Sequence, residues 1–322
     1  MLTTLSIVIP TYNRSEYLRR CLKSIYVAAN NMLDRISVTV LDNCSTDDTS
    51  LVITDVQSLP SFNIDYIRHP INTGPEANLL CAYKCTNSDY ILVLGDDDYL
   101  LPTFFDQVLP HLDSQSPIAL KFDALEDRSD SHSTFSATCI SHKYDPSVVS
   151  RYSFNDALVI FGLGLGNIST LILKSSFVRD NIWRFRLAKS NSGYPHLLMI
   201  YGGLKECEVL LHYYAKPLAV IRIEISPRDV EASNVITNLK SIYETLLSFG
   251  YDGNVLNASY QKVVDATIIG SIKCKKWNNT FSGTLLIETL SALSASKDRF
   301  KVIIIYLLPA KVYRLIWRIL AK

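Results

Sequence analysis

No stretch of this 322-residue chain reaches the ~18 uninterrupted apolar residues of a membrane-spanning helix. The nearest approach, Val302 to Leu308, is stopped by Pro309. An excess of either charge is also missing: 32 Lys and Arg face 31 Asp and Glu. No global field therefore draws in a polyanion, and nucleic acid is not expected as a partner. The seven cysteines, at positions 21, 44, 81, 85, 139, 207 and 274, lack the paired short spacing of a zinc knuckle. An odd, scattered set reads as reduced core thiols. Met1-Leu2-Thr3-Thr4 leads straight into a strand-like segment, without the basic residues, apolar run and cleavage site of a secretory signal. The expectation is a protein that stays in the cytoplasm. Internal repeats and low-complexity tracts are lacking as well.

What is present is an alternation of two periodicities, the mark of strand-helix-strand units that build a parallel sheet. Leu5 to Ile9 is a β-branched run closed by Pro10, and a helix fits Ser15 to Ala29, where Leu18, Leu22 and Ile25 recur at helical spacing. Ile36 to Leu41 predicts a second strand, Thr49 to Gln57 a short helix and Ile64 to Arg68 a third strand. A helix running through Cys85 and a fully apolar strand, Tyr90 to Leu94, complete the pattern, the last suited to a sheet centre. Beyond residue 110 the pattern is less regular. Asp123 to His142 reads as a polar excursion, Phe154 to Leu173 returns to helix and strand character, and helical segments follow from about Ser226. The domain reading is 1–225 for a catalytic domain, with a nucleotide half at 1–110 and an acceptor half at 111–225, and 226–322 for a C-terminal helical region.

Ligands of open parallel sheets collect at the carboxyl ends of the strands. Three polar clusters fall there. The strongest is Gly95-Asp96-Asp97-Asp98, closing the apolar strand. Adjacent carboxylates repel unless a cation compensates them, and a hard divalent ion whose remaining ligands come from a sugar diphosphate suits the position. The competing reading is of solvated acids capping the helix after Pro102. Pro10-Thr11-Tyr12-Asn13-Arg14 offers backbone, hydroxyl and ring groups to a nucleoside, and Asp42 offers a carboxylate to a base N–H or, equally, to a turn.

Together, Ser6 to Arg14, Asp42 to Thr49, the loop Asn72-Thr73-Gly74-Pro75 to Asn78, and Gly95 to Pro102 resemble glycosyltransferase family 2 in order and spacing. The resemblance implies an α/β GT-A fold, a Rossmann-like, mostly parallel sheet flanked by helices, here with a C-terminal helical extension. It also implies a nucleotide-sugar donor and a divalent metal, Mn2+ or Mg2+. Pro10, Thr11, Tyr12 and Arg14 correspond to the nucleoside wall, Asp42 to the base-reading carboxylate, and Asn72, Gly74 and Asn78 to the loop beside the donor. In the register of Tyr99 and Pro102, Asp97 falls on the principal metal ligand and Asp98 follows it as a second ligand and base candidate. Gly95 replaces the family's first acid, which leaves open whether Asp96 takes over its work at the donor.

The family's usual Glu-Asp pair is replaced by Ser192-Gly193-Tyr194-Pro195-His196. This pattern resembles the branch that includes abequosyltransferases of bacterial O-antigen synthesis. His196 is expected as the catalytic base or a further metal ligand, with a structural histidine capping the helix through Leu204 as the alternative; Asp98 and Glu206 follow as bases. Gly162-Leu163-Gly164-Leu165-Gly166-Asn167 lacks the spacing of a dinucleotide fingerprint and reads as a turn, or as backbone passing close to the acceptor with Asn167 and Ser169 nearby. Lys297 to Lys322 holds seven Lys or Arg against one Asp, interleaved with Tyr313, Trp317 and aliphatic residues. It reads as a basic amphipathic helix, either lying on the inner face of the cell membrane or packing on the catalytic domain. The expected reaction is metal-dependent single displacement onto a lipid-linked glycan. The rivals are a silent GT-A binding protein and a nucleotidyltransferase, the latter disfavoured because Ile9 to Asn13 lacks a glycine-rich basic loop.

Overall fold

In the computed structural model, the described residues are 2–85, 87–127, 137–139, 149–188, 194–207, 211–222 and 232–261, with isolated positions between 303 and 312. The first hundred residues alternate as expected: β1 (Leu5–Thr11), α1 (Ser15–Ala29), β2 (Ile36–Asp42), α2 (Thr49–Gln57), β3 (Ile64–Arg68), α3 (Pro75–Lys84) and β4 (Tyr90–Val93). A two-residue β5 (Tyr99–Leu100) and α4 (Phe104–Gln115) follow. Then come β6 (Ala119–Asp127), β7 (Ala137–Cys139), β8 (Val149–Tyr152), α5 (Phe154–Phe161), β9 (Leu171–Lys174), α6 (Ser175–Asn181), α7 (His196–Cys207), β10 (Leu211–Arg222) and α8 (Ala232–Ser248).

All the strands join one sheet in the order β3-β2-β1-β4-β9-β6-β10-β5, with β7 beside β6 and β8 beside β10. β1 to β4 run parallel, β9 is antiparallel to both β4 and β6, and β10 is parallel to β6. Successive side chains of a strand point to opposite faces, so each inner strand feeds two cores. Leu5, Ile7 and Ile9 of β1 with Tyr90 and Leu92 of β4 pack under α1, α2 and α4. Val8, Ile91 and Val93 face the other way, against α3, α5, α6 and α7. That arrangement explains why these strands read as unbroken apolar runs.

The polar stretch from Asp123 is not the excursion expected over its first five residues. It continues β6, and Asp123 is buried because the Tyr213 hydroxyl donates to it across the strand pair at 2.7 Å. β10 shifts register around Pro217, which lacks the ladder N–H. Beyond that shift Ala219 and Val220 pair with Leu100 and Tyr99, so β10 ends beside the tip of β4. The expected boundary near Ser226 lies outside the described residues; past it, Ile242, Tyr243 and Leu246 of α8 pack into the second core. No helix among the described residues is long and apolar enough to cross a membrane. The basic segment 297–322 lies almost wholly outside the description.

Leu92 is fully buried beneath the strand tip that carries the acids. Leu92→Ala is expected to cost about 2–5 kcal/mol through lost burial and the cavity left behind. Urea unfolding with an unchanged m-value checks this, and a loss under about 1 kcal/mol contradicts it.

Candidate active site

The strand tip turns tightly after Leu94, with the Asp98 N–H bonded to the Gly95 carbonyl at 3.1 Å. Each carboxylate is then met by a different part of the chain. The Thr11 hydroxyl, at the end of β1, donates to Asp96 Oδ2 at 2.7 Å. One nitrogen of Arg14 bridges Asp96 Oδ1 at 3.2 Å and Asp97 Oδ2 at 2.9 Å. Ser169 Oγ donates to Asp98 Oδ2 at 2.5 Å and accepts from the Gly95 N–H at 2.9 Å, while the Arg222 N–H at the end of β10 meets Asp98 Oδ1 at 2.9 Å. Arg20 donates to the Asp97 carbonyl at 2.9 Å, stacks on Tyr99 and pairs with Asp127.

Asp96 and Asp98 are buried, whereas Asp97 retains partial access to solvent. Burial pushes Asp96 up to about 6 against the pull of Arg14 and Thr11. Burial, aided by the Asp97 charge, pushes Asp98 up to about 7. Burial is the larger cause in both, and the neighbouring Asp97 charge adds to it. Gly95 explains the missing first acid. A Cβ there would stand 2.9 Å from Asp98 Oδ2 and 3.3 Å from both Asp97 Oδ1 and Ser169 Oγ, so a side chain would collide with the network holding the other acids.

A hard cation fits this donor set of adjacent carboxylate oxygens. Among the described residues, no three His, Cys, Asp or Glu side chains converge as a closed cage.

The other expected donor residues divide. Tyr12 is exposed at the mouth, and Arg14 reaches the acids. Asp42, expected to read a base, is fully buried; its oxygens accept from the Ser45 N–H at 2.8 Å, the Tyr66 hydroxyl at 2.6 Å and Arg68 at 3.4 Å. Its place is within the loop that shapes the site. Asn72 Oδ1 accepts from Asn43 and from the Gly74 N–H. Gly74 adopts a left-handed φ of 84° ahead of α3, a conformation that favours glycine. Asn78 is buried and ties α3 to the Leu41 carbonyl and to His69. Pro10 stays within β1.

His196 opens α7, and its ring lies in the core between Tyr83 and Tyr194. Nε2 donates to the Gly166 carbonyl at 2.8 Å, Nδ1 is a buried acceptor with no partner among the described residues, and burial holds the ring down to about 4. The bond runs to the glycine segment and not to an end of α7. With Tyr201, whose hydroxyl donates to the Gly162 carbonyl at 2.6 Å, His196 straps the glycine segment onto α7. A Cβ on Gly166 would lie 3.1 Å from Tyr194, so close packing, not nucleotide binding, accounts for that glycine. Glu206 lies about 15 Å along α7 from His196 and pairs with the buried Arg184. Ser169, Arg20 and Arg222 are site residues that sequence reasoning missed in this role. Each is remote from the acids in the chain, and no local spacing links them.

A twisted, largely parallel sheet with acids at the tip of its fourth strand is the GT-A arrangement of nucleotide-sugar glycosyltransferases. The model of glycosyl transferase family 2 matches residues 6–138. Abequosyltransferase RfbV of Salmonella typhimurium is 31% identical over 68% of this chain and 66% of its own length. The GalNAc(5)-diNAcBac-PP-undecaprenol beta-1,3-glucosyltransferase of Campylobacter jejuni is 29% identical over 30% of each protein. Among solved structures, S. aureus TarS 1-349 in complex with UDP-GlcNAc has a TM-score of 0.60 at 14% identity, covering 90% of this chain and 82% of that one. The mannosyltransferase PcManGT from Pyrobaculum calidifontis, in complex with GDP-Man and Mn2+, has a TM-score of 0.55 at 13% identity, covering 98% and 88%. These structures share the fold. The chain belongs to glycosyltransferase family 2.

The raised carboxyls predict a pH dependence. Folded Asp96 and Asp98 hold protons that the unfolded chain releases near pH 4, so their stabilisation is fully present below that pH and is lost as pH rises through about 6 and 7. Asp98→Asn is expected to flatten this slope, gaining on the parent in urea midpoint between pH 5 and pH 8 when no divalent ion is present. Parallel pH profiles for the two proteins contradict it.

Proposed function

We propose that this chain transfers a sugar from a nucleoside-diphosphate sugar to a hydroxyl of a lipid-linked glycan in surface polysaccharide synthesis. A divalent cation, Mn2+ or Mg2+, is seated at Asp97. The observation that carries the reading is the cluster of three acids at the tip of β4, of which Asp97, paired with Arg14, is the one with access to solvent. The relatives' names support the substrate classes: one transfers abequose, another acts on an undecaprenol-linked glycan, and two structural neighbours are bound to UDP-GlcNAc or GDP-Man. The sequence also supports peripheral placement at the cytoplasmic face of the membrane, through the basic segment 297–322 with Tyr313 and Trp317 at headgroup level.

When bound, the ion neutralises the diphosphate as it leaves the sugar. The chain's own residues prepare that step. Thr11 orients Asp96 behind the seat, and Ser169 with the Arg222 N–H fixes Asp98, so that Asp97 is presented with little freedom. Asp98 has both oxygens engaged by the protein, and its task in this reading is to hold the tip in shape. His196 acts as a positioning residue for the glycine segment, because its bonded Nε2 and buried ring offer an acceptor hydroxyl no accessible lone pair.

Asp97→Asn is expected to lower metal-dependent hydrolysis of the donor by about 10²-fold or more while the fold is retained. Undiminished turnover rejects the seat. His196→Gln is expected to keep the shape of the pH–rate profile and to lower stability by about 1–3 kcal/mol, measured by urea unfolding. Loss of the acidic limb of that profile would identify His196 as the base instead.

A further inference from the structure

Arg14, which the family resemblance assigns to the nucleoside wall, reaches the acids at the tip of β4. Asn13, held in the left-handed region at φ 53°, is anchored on both sides: its N–H donates to Ser45 Oγ at 2.9 Å and its Oδ1 accepts from the Thr46 N–H at 2.7 Å. That turn sends Arg14 back over the tip of β4, where one guanidinium nitrogen lies within 3.2 Å of both Asp96 and Asp97. Its side chain is 39% exposed, so it can leave without disturbing the core. Arg20, another cation near the tip, is held by the Asp97 carbonyl, the Tyr99 ring and Asp127.

We propose that Arg14 is a resident counter-ion that competes with the divalent cation for Asp97, so that the ion binds weakly on its own. The inference rests on the reading of Asp97 as the metal seat. Guanidinium and metal both need the same carboxylate, and each weakens the field that attracts the other. Arg14 is suited to give way because guanidinium also pairs well with phosphate oxygens, a ligand that arrives with the donor. The metal and the donor are thereby bound as a pair, and the acids are not left bare between turnovers.

The test titrates the full chain with Mn2+ alone, following the electron paramagnetic resonance signal of the free ion. Arg14→Gln is expected to bind Mn2+ roughly fivefold more tightly than the parent, the scale of a lost exposed ion pair. Arg14→Lys should return the affinity toward the parent value, and adding Asp97→Asn to Arg14→Gln should abolish binding. Arg14→Met serves in place of the glutamine variant if that one fails to fold. Equal affinity in the parent and in Arg14→Gln, each lost with Asp97→Asn, overturns the competition and leaves the seat intact. Absence of any Asp97-dependent Mn2+ binding overturns the seat, and the inference with it.

Discussion

Three consecutive carboxylates confined at the end of one strand form the constraint to which the rest of this structure answers. Removing two of them from water costs free energy that only donors or a cation can offset. The chain answers from four directions: Thr11 and Arg14 after β1, Arg20 from α1, Ser169 before β9, and the Arg222 N–H at the end of β10. Burial keeps Asp96 and Asp98 above the ordinary carboxylate range despite these donors.

The order of the sheet follows from this demand. β4 lies at its centre, with β1 on one side and β9 on the other, so the segments before and after those strands open directly onto the acids. β10 reaches the same point only because its ladder slips at Pro217 and re-forms beside β5. Gly95 is the covalent counterpart of the same crowding. The family's first acid has no room where Ser169 Oγ and two carboxylate oxygens already converge, and Asp96, held by Thr11, stands next to the gap.

On the far side of the second core, the glycine segment and α7 solve a different problem. Backbone carbonyls in a turn near the core need donors, and His196 and Tyr201 supply them. The His196 ring lies in the core, and burial suppresses its protonation. Its neighbourhood with Tyr194 and Gly166 gives the Tyr-Pro-His segment a packing rationale.

The amino-acid sequence by itself determined the alternation of β1 to β4 with α1 to α3, the family, and the location of the acids, because apolar periodicity and strand-end polarity are local properties. α1, α2 and β3 span the residues read from the sequence, and only the end of α3 and the flanks of β1, β2 and β4 moved by a residue or two. The extent of β6 was not legible. Its polar residues resemble a loop until Tyr213, ninety positions later, is seen to satisfy Asp123. The burial of Asp96 and Asp98, the partial exposure of Asp97, and the inward contacts of Asp42 and His196 were decided by tertiary structure alone. A carboxylate or an imidazole acquires its role from the donors that meet it in space, and here those donors come from strands and turns that no spacing along the chain brings together.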